Sequence, residues 1–179
     1  MHGIIFILLQ KYVTSNYDSK TWNQLKTTSG LNNAIFSSLQ TYDDEELIKL
    51  VVRASEMTNT AIPLILEDFG KFISNDLIRM YPMLIRSTWK TLDLIENTEQ
   101  TIHTVVRAQN PGATPPELSV ERLSEKELKL TYVSTRKLCK VAFGIAQGIA
   151  KHFGEKLLIA EDVCLHKGND RCEIIMTLI

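Results

Sequence analysis

The sequence is short of cysteine and has no long apolar run. Its 179 residues include three cysteines, an odd number that fits a reducing compartment better than a disulfide framework. The apolar opening from Ile4 to Leu9 is too short to span a bilayer. It also lacks the basic segment and the small-residue cleavage site of a signal peptide. We therefore expect a cytoplasmic protein.

The sequence also lacks an excess of charge of either sign. The formal net charge is −1, and basic and acidic residues are interspersed, so no basic face points to nucleic acid or to an anionic membrane. The sequence contains no glycine-rich phosphate loop and no nucleophile motif, and we expect no output domain after Ile179. Enzymatic activity is therefore not expected, and any signal must pass through another protein.

The first half of the chain has the apolar periodicity of helices. Helices are predicted over residues 4–13, 19–29, 41–57, 63–81 and 87–106, and the run Ala108 to Pro116 then breaks the pattern. After this break the period changes to two, which predicts strands over 118–122 and 128–134. A strong amphipathic helix over 137–153 and two more strands, 156–165 and 171–178, follow. This order predicts an α+β fold with a four-stranded antiparallel sheet.

One histidine and three later polar residues suggest a haem site. His103 lies at the boundary of the apolar face of a helix, so one ring nitrogen can point inward while the other keeps a polar partner. Tyr132, Ser134 and Arg136 alternate at a strand end, and alternate strand residues share one face. An imidazole ligand and a trio that binds carboxylates are what a haem requires for its iron and its propionates.

Together these residues resemble a known family, the haem nitric oxide/oxygen-binding (H-NOX) domain related to soluble guanylate cyclase. The resemblance covers the whole chain. It includes the start Met1-His2-Gly3-Ile4-Ile5, the histidine near a helix end, the Gly112-Ala113-Thr114-Pro115-Pro116 link and, most diagnostically, Tyr-x-Ser-x-Arg at 132–136. It implies that residues 1–179 form a single H-NOX domain, with a distal helical lobe over 1–60 and a proximal lobe over 61–179 that carries the ligand helix and the sheet. The resemblance also implies that haem lies between the two lobes.

The resemblance also implies roles for individual residues. His103 is the expected axial ligand of a b-type haem, Tyr132, Ser134 and Arg136 hold the propionates, and Pro115 presses on the porphyrin and distorts it. Oxygen-binding members are expected to use a distal tyrosine, and the matching position here is Val141. The other expected distal residues are all aliphatic: Ile5, Leu9, Ile73, Leu77 and Ile145. A pocket without a hydrogen-bond donor favours nitric oxide, and carbon monoxide more weakly, over stable oxygenation.

The resemblance further implies a signalling mechanism. Nitric oxide binding opposite His103 weakens the iron–histidine bond, which frees the helix that carries His103 and lets the two lobes shift. The expected partner is a separate protein, a histidine kinase or a cyclic-di-GMP enzyme.

The cysteines form a second constellation. A short loop centred on Gly168 would place Cys164 across from Cys172, and Cys139 opens the long C-terminal helix. Some bacterial relatives look similar, with three cysteines and a histidine that hold a structural zinc. This sequence has Glu161 at the position of that histidine, so Glu161 and His166 are the alternative fourth ligands. An alternative function is a zinc-bound thiol redox sensor in which haem is secondary.

Overall fold

The computed structural model describes all 179 residues. Seven α-helices and four strands follow one another along the chain. The helices are α1 (Gly3–Asn16), α2 (Ser19–Thr28), α3 (Asp44–Thr58), α4 (Ile62–Met80), α5 (Thr91–Asn97), α6 (Thr104–Gln109) and α7 (Cys139–His152). The strands are β1 (Glu117–Ser124), β2 (Glu127–Val133), β3 (Leu157–Val163) and β4 (Cys172–Leu178). The predicted α+β class is confirmed.

The four strands form one antiparallel sheet in the order β1-β2-β4-β3. Successive side chains point to opposite faces, and in β2 Leu128, Leu130 and Tyr132 are buried while their neighbours are partly exposed. The buried face continues onto β4, where Leu130 pairs with Ile174. One face of the sheet therefore forms a core with α5 and α7.

The molecule has two hydrophobic cores. The first gathers buried side chains of α1, α2, α3 and α4, among them Phe6, Leu50 and Ile73, which are fully buried. The second gathers the buried face of the sheet with α5 and α7. Because α4 contributes to the first core, that core extends past residue 60, and the lobe boundary expected there stays a prediction.

Close helix packing joins the two halves. Gly70 on α4 faces the backbone of α7, and Gly144 on α7 faces the backbone of α4 at Glu67. A β-carbon at either glycine would collide with main-chain atoms, which cannot move aside as a flexible side chain can. Glycine at both positions therefore allows α4 and α7 to approach more closely than helices with ordinary side chains.

The predicted helix over 87–106 is interrupted in the structure. It begins only at Thr91, since Trp89 is buried before it and the Lys90 amide donates to the Asp93 carboxylate at 2.9 Å. A π-helical turn then occupies Glu99–His103, before α6. Apolar periodicity near 3.6 residues cannot distinguish such a turn from an α-helix, so the sequence indicated one continuous element.

The predicted strand over 156–165 is also shorter in the structure. β3 ends at Val163, and a short 3₁₀ turn over Leu165–Lys167 follows.

No helix of the molecule is both long enough and apolar enough to cross a membrane.

Candidate functional site

A cavity of about 470 Å³ has walls from both cores. Its volume lies within the range of roughly 300–1,000 Å³ that is typical of ligand pockets, and most of its lining is apolar. The predicted haem residues that line it are His103, Pro115, Tyr132, Ser134, Arg136, Ile5, Leu9, Leu77, Val141 and Ile145. Residues far apart in the sequence therefore meet around one space.

His103 is held by a carboxylate. Its Nδ1 lies 2.9 Å from Oε2 of Glu99, one helical turn earlier, and only 15% of its side chain is exposed. Burial lowers the pKa of His103, and the Glu99 carboxylate and the Pro116 carbonyl oppose that effect without reversing it. The imidazole is therefore neutral at pH 7. Because Nδ1 is directed at Glu99, Nε2 is the nitrogen that remains for a metal.

The π-helical turn that ends at His103 has a local cause. The His103 amide donates to the carbonyl of Thr98, five residues back, at 3.0 Å. Threonine hydroxyls along this stretch donate to main-chain carbonyls: Thr98 to Leu94, Thr101 to Asn97 and Thr104 to Glu99. Such bonds compete with the regular helical pattern and loosen it. π-Turns occur frequently at functional sites.

Tyr132, Ser134 and Arg136 converge, although only the first lies in a strand. β2 ends at Val133, so Ser134 and Arg136 belong to the turn before α7, in which Lys137 has a left-handed backbone with φ of 54°. Ser134 Oγ accepts from the Arg136 amide at 3.2 Å. Burial raises the pKa of Tyr132 to about 12, with the Ser134 hydroxyl opposing it. Tyr132 is therefore a neutral donor.

The Arg136 guanidinium reaches across to the N-terminal half. Its Nε lies 2.8 Å from Oδ2 of Asp44, in the first turn of α3. The remaining guanidinium nitrogens donate to the carbonyl and the hydroxyl of Thr114. Asp44 also lies 2.7 Å from the Met1 ammonium. Burial alone would raise the pKa of Asp44, but these two cations hold it below its ordinary value.

Aliphatic side chains cover the side of the cavity formed by α1, α4 and α7. Ile5, Leu9, Leu77, Val141 and Ile145 all line it. Ile73, which the resemblance also implied, is fully buried in the first core and is not part of the lining. Its neighbour Ser74 does line the cavity, and sequence reasoning missed it together with Ser38, Tyr81, Thr98 and Asn110. The Ser74 hydroxyl donates to the carbonyl of Lys71 at 2.8 Å. That hydrogen is therefore not directed at a ligand.

The residues present fit a haem. An apolar cavity would cover the porphyrin, a neutral imidazole with a fixed ring orientation would face the iron, and a guanidinium with two hydroxyls on the same cavity would bind propionates. His103, Tyr132, Ser134 and Arg136 are on the lining, as is Pro115. These residues could hold a haem, which would supply an iron that binds a small gas.

A second cluster lies among α7, β3 and β4. Candidate ligand atoms of Cys139, Glu161, Cys164 and Cys172 all lie within 4.8 Å of one another. Cys164 and Cys172 have their sulfurs 4.0 Å apart, close to the roughly 3.8 Å between thiolates on a tetrahedral zinc with 2.3 Å bonds. Burial raises the pKa of the Cys172 thiol to about 11 and that of Cys139 further still, so without a metal these thiols are neutral.

Of the two alternative fourth ligands, only Glu161 belongs to this cluster. Its Oε2 lies 2.9 Å from the Lys140 ammonium, while its Oε1 is buried and has no hydrogen-bond partner. His166 instead contacts the carbonyl of Lys137 through Nε2 at 2.7 Å and is exposed. The donor set of three thiols and one carboxylate oxygen is chemically suited to zinc.

Comparison with known proteins agrees with this geometry. A crystal structure of an H-NOX protein from S. oneidensis in the Fe(II)NO ligation state is similar over 100% of this chain and 99% of that chain, with 28% identity and a TM-score of 0.94. An NMR structure of an H-NOX domain from Shewanella oneidensis in the Fe(II)CO ligation state is also 28% identical. It is similar over 100% of this chain and 99% of that chain, with a TM-score of 0.89.

The family follows from the sequence itself. The Haem-NO-binding (HNOB) family model matches residues 2–161, and the chain belongs to this family of haem-binding gas-sensor domains. The resemblance to H-NOX domains is thereby confirmed. The soluble guanylate cyclase gcy-31 of Caenorhabditis elegans is 22% identical over 138 residues, which are 76% of this chain and 20% of that protein. The chain spans about a fifth of the length of the curated guanylate cyclases it matches.

Proposed function

We propose that this chain senses nitric oxide through a b-type haem ligated by His103. The observation that carries the proposal is that His103 and the Tyr132, Ser134 and Arg136 trio line one apolar cavity. The imidazole presents Nε2 because Nδ1 is engaged by Glu99 at 2.9 Å. Tyr132 and Ser134 are neutral donors, and Arg136 supplies a charged fork. Pro115 lines the same cavity and would press on the porphyrin.

The aliphatic side of the cavity supports nitric oxide rather than oxygen. When bound, ferrous haem supplies a metal that holds nitric oxide without help, whereas dioxygen needs a nearby donor for stable binding. Val141 stands where a donor would be needed, and Leu9, Leu77 and Ile145 offer none. The Ser74 hydroxyl gives its hydrogen to Lys71. Carbon monoxide is expected to bind more weakly than nitric oxide.

The signal is proposed to start with release of His103. Its π-helical turn, no longer held at Nε2, would be free to move together with α6 and Pro115. The distal lobe (1–60) and the proximal lobe (61–179) would then shift relative to each other, biasing two conformations. The proposed receiver is a separate protein, a histidine kinase or a cyclic-di-GMP enzyme. We assign no cyclase activity to these 179 residues, which correspond to a fifth of the cyclase relatives.

A visible spectrum tests the proposal. The protein is reduced without oxygen, and its main haem band is recorded before and after nitric oxide, and separately after exposure to air. A band that shifts with nitric oxide, with no stable oxygen complex in air, is the expected result. A colourless protein overturns haem binding, and a stable shift in air overturns the proposed selectivity.

The cysteine cluster supports a second proposal, a structural zinc. We infer that Cys139, Cys164 and Cys172 bind it together with Oε1 of Glu161, the buried oxygen that lacks a partner. Metal analysis of protein purified without chelator should find one zinc per chain, and a content near zero would exclude the site. Family membership does not support the alternative in which the cluster is a thiol redox sensor and haem is secondary.

A further inference from the structure

Glu99 links His103 to two other parts of the proximal side. Its Oε2 lies 2.9 Å from His103 Nδ1 and also accepts from the Leu118 amide of β1 at 3.1 Å. Its Oε1 lies 2.7 Å from the Arg107 guanidinium. Only 25% of the Glu99 side chain is exposed, so these charges are less screened than those of a surface pair.

Glu99 and Arg107 act on His103 in opposite directions. A carboxylate that accepts the ring N–H increases the electron density at the other ring nitrogen and makes it a stronger metal ligand. Arg107 withdraws charge from the same carboxylate and weakens that effect. The Leu118 amide holds the Glu99 carboxylate against β1, so the carboxylate stays in place when Arg107 is substituted.

We propose that Glu99, moderated by Arg107, sets the strength of the bond between His103 and the haem iron. The pair thereby determines how readily nitric oxide releases His103, and Glu99 is a positioning residue. This inference rests on the proposed role of His103 as the axial ligand.

Two substitutions with opposite expected signs test the inference. The iron–histidine stretching frequency of the ferrous holoprotein is measured by resonance Raman spectroscopy. Glu99→Gln keeps the shape and an acceptor oxygen but removes the charge, so the frequency should fall. Arg107→Gln leaves the whole carboxylate charge to His103, so the frequency should rise. A residue with a merely structural role would not give shifts of opposite sign.

Matched controls come from an ion pair that joins α5 to β1. Glu96 and Arg122 form a neighbouring pair, with the guanidinium 2.7 Å from Glu96 Oε2, and neither contacts His103. Glu96→Gln and Arg122→Gln should leave the stretching frequency unchanged. Glu99→Asp, which restores the charge on a shorter side chain, should recover part of the frequency lost in Glu99→Gln.

A measurement on the haem-free protein covers the case in which Glu99→Gln does not retain haem. The proton on His103 Nδ1 is followed by NMR. In the wild type its resonance should lie downfield, as expected for a hydrogen bond to a charged acceptor, and it should move upfield in Glu99→Gln. A proton on Nε2, or an unchanged resonance in Glu99→Gln, would overturn the inference.

The outcomes separate this inference from the proposed function. If the wild type binds haem through His103 but neither Glu99→Gln nor Arg107→Gln changes the frequency, only the inference fails. If His103→Gly keeps the iron–histidine band of the wild type, the proposed axial ligand itself is wrong.

Discussion

Arg136 Nε and Asp44 Oδ2 lie 2.8 Å apart and join residues separated by 92 positions in the sequence. Asp44 begins α3 in the N-terminal half, whereas Arg136 follows β2 and is proposed to bind a propionate. The proposed propionate site is thus attached to the N-terminal half by an ion pair. A movement of the Arg136 guanidinium would therefore change the ion pair at the first residue of α3.

The ion pair between Asp44 and Arg136 should make the stability of the protein sensitive to acid. Asp44 has a pKa below its ordinary value of 3.8, so the unfolded chain takes up its proton first as the pH falls. The stabilisation that Asp44 provides is therefore complete above about pH 4 and is lost as the pH falls through its lower native pKa. Asp44→Asn should lower the free energy of unfolding of the haem-free protein by about 1 kcal/mol at neutral pH. Below pH 4 its stability should decline less steeply than that of the wild type.

Chemical denaturation as a function of pH measures this difference. Asp170→Asn is the control, since Asp170 is 83% exposed and forms its ion pair with the neighbouring Arg171. Equal slopes for Asp44→Asn and the wild type in the acid range would show that Asp44 has no depressed pKa.

The second prediction concerns haem retention. Arg136→Gln removes the charged fork, and a hydrogen bond to a charged group contributes roughly 1.5–3 kcal/mol. Haem should therefore leave about 10 to 100 times faster, since each 1.4 kcal/mol corresponds to roughly a factor of ten. Transfer of haem to an excess of apomyoglobin measures the rate. Arg171→Gln, which removes an exposed guanidinium that is not part of the cavity lining, should leave the rate unchanged.

The third prediction concerns gas selectivity. Val141→Tyr places a phenol in the aliphatic part of the cavity, where its hydroxyl can donate to a bound gas. The ferrous variant should form an oxygen complex in air that persists long enough for a spectrum, and it should still bind nitric oxide. Val141→Phe adds the ring without the hydroxyl and serves as the control. If the phenylalanine variant holds oxygen equally well, ring size rather than hydrogen bonding sets the selectivity.

The fourth prediction concerns the contact between α4 and α7. On an open helix face Gly→Ala stabilises by about 1 kcal/mol. At Gly144 the added methyl would meet the Glu67 carbonyl, so Gly144→Ala should instead destabilise by about 3 kcal/mol. Thermal unfolding of the haem-free protein measures the change. Lys151→Ala, on an exposed position of the same helix, should change the stability little, and a stabilised Gly144→Ala would show that the helices are not in close contact.

Much of the fold could be predicted from local patterns. The change of period after Pro116 indicated where helices give way to strands. The Tyr132, Ser134 and Arg136 spacing predicted one shared site, but Ser134 and Arg136 lie in the turn after β2 and not on a strand face. These features depend on side chains close in sequence, which periodicity reports directly.

Long-range partners could not be predicted in the same way. Asp44 meets Arg136 only because the two halves pack together, and no spacing in the sequence reveals that contact. Thr114 meets Arg136 across 22 positions, which no periodic pattern reports either. The π-helical turn was hidden because its apolar positions also suit an α-helix. Glu99 had one signal, its position four residues before His103, which suggested a polar partner but not the links to Arg107 and Leu118.

The proposed ligation of the haem iron by His103 is tested most directly by the ferrous visible spectrum of a variant. His103→Gly is purified with and without added imidazole, and the ferrous spectrum of each sample is compared with the wild type. The variant should lose the wild-type spectrum and regain it with imidazole, which can occupy the space beside Glu99. A variant that keeps the wild-type spectrum without imidazole would show that His103 is not the ligand.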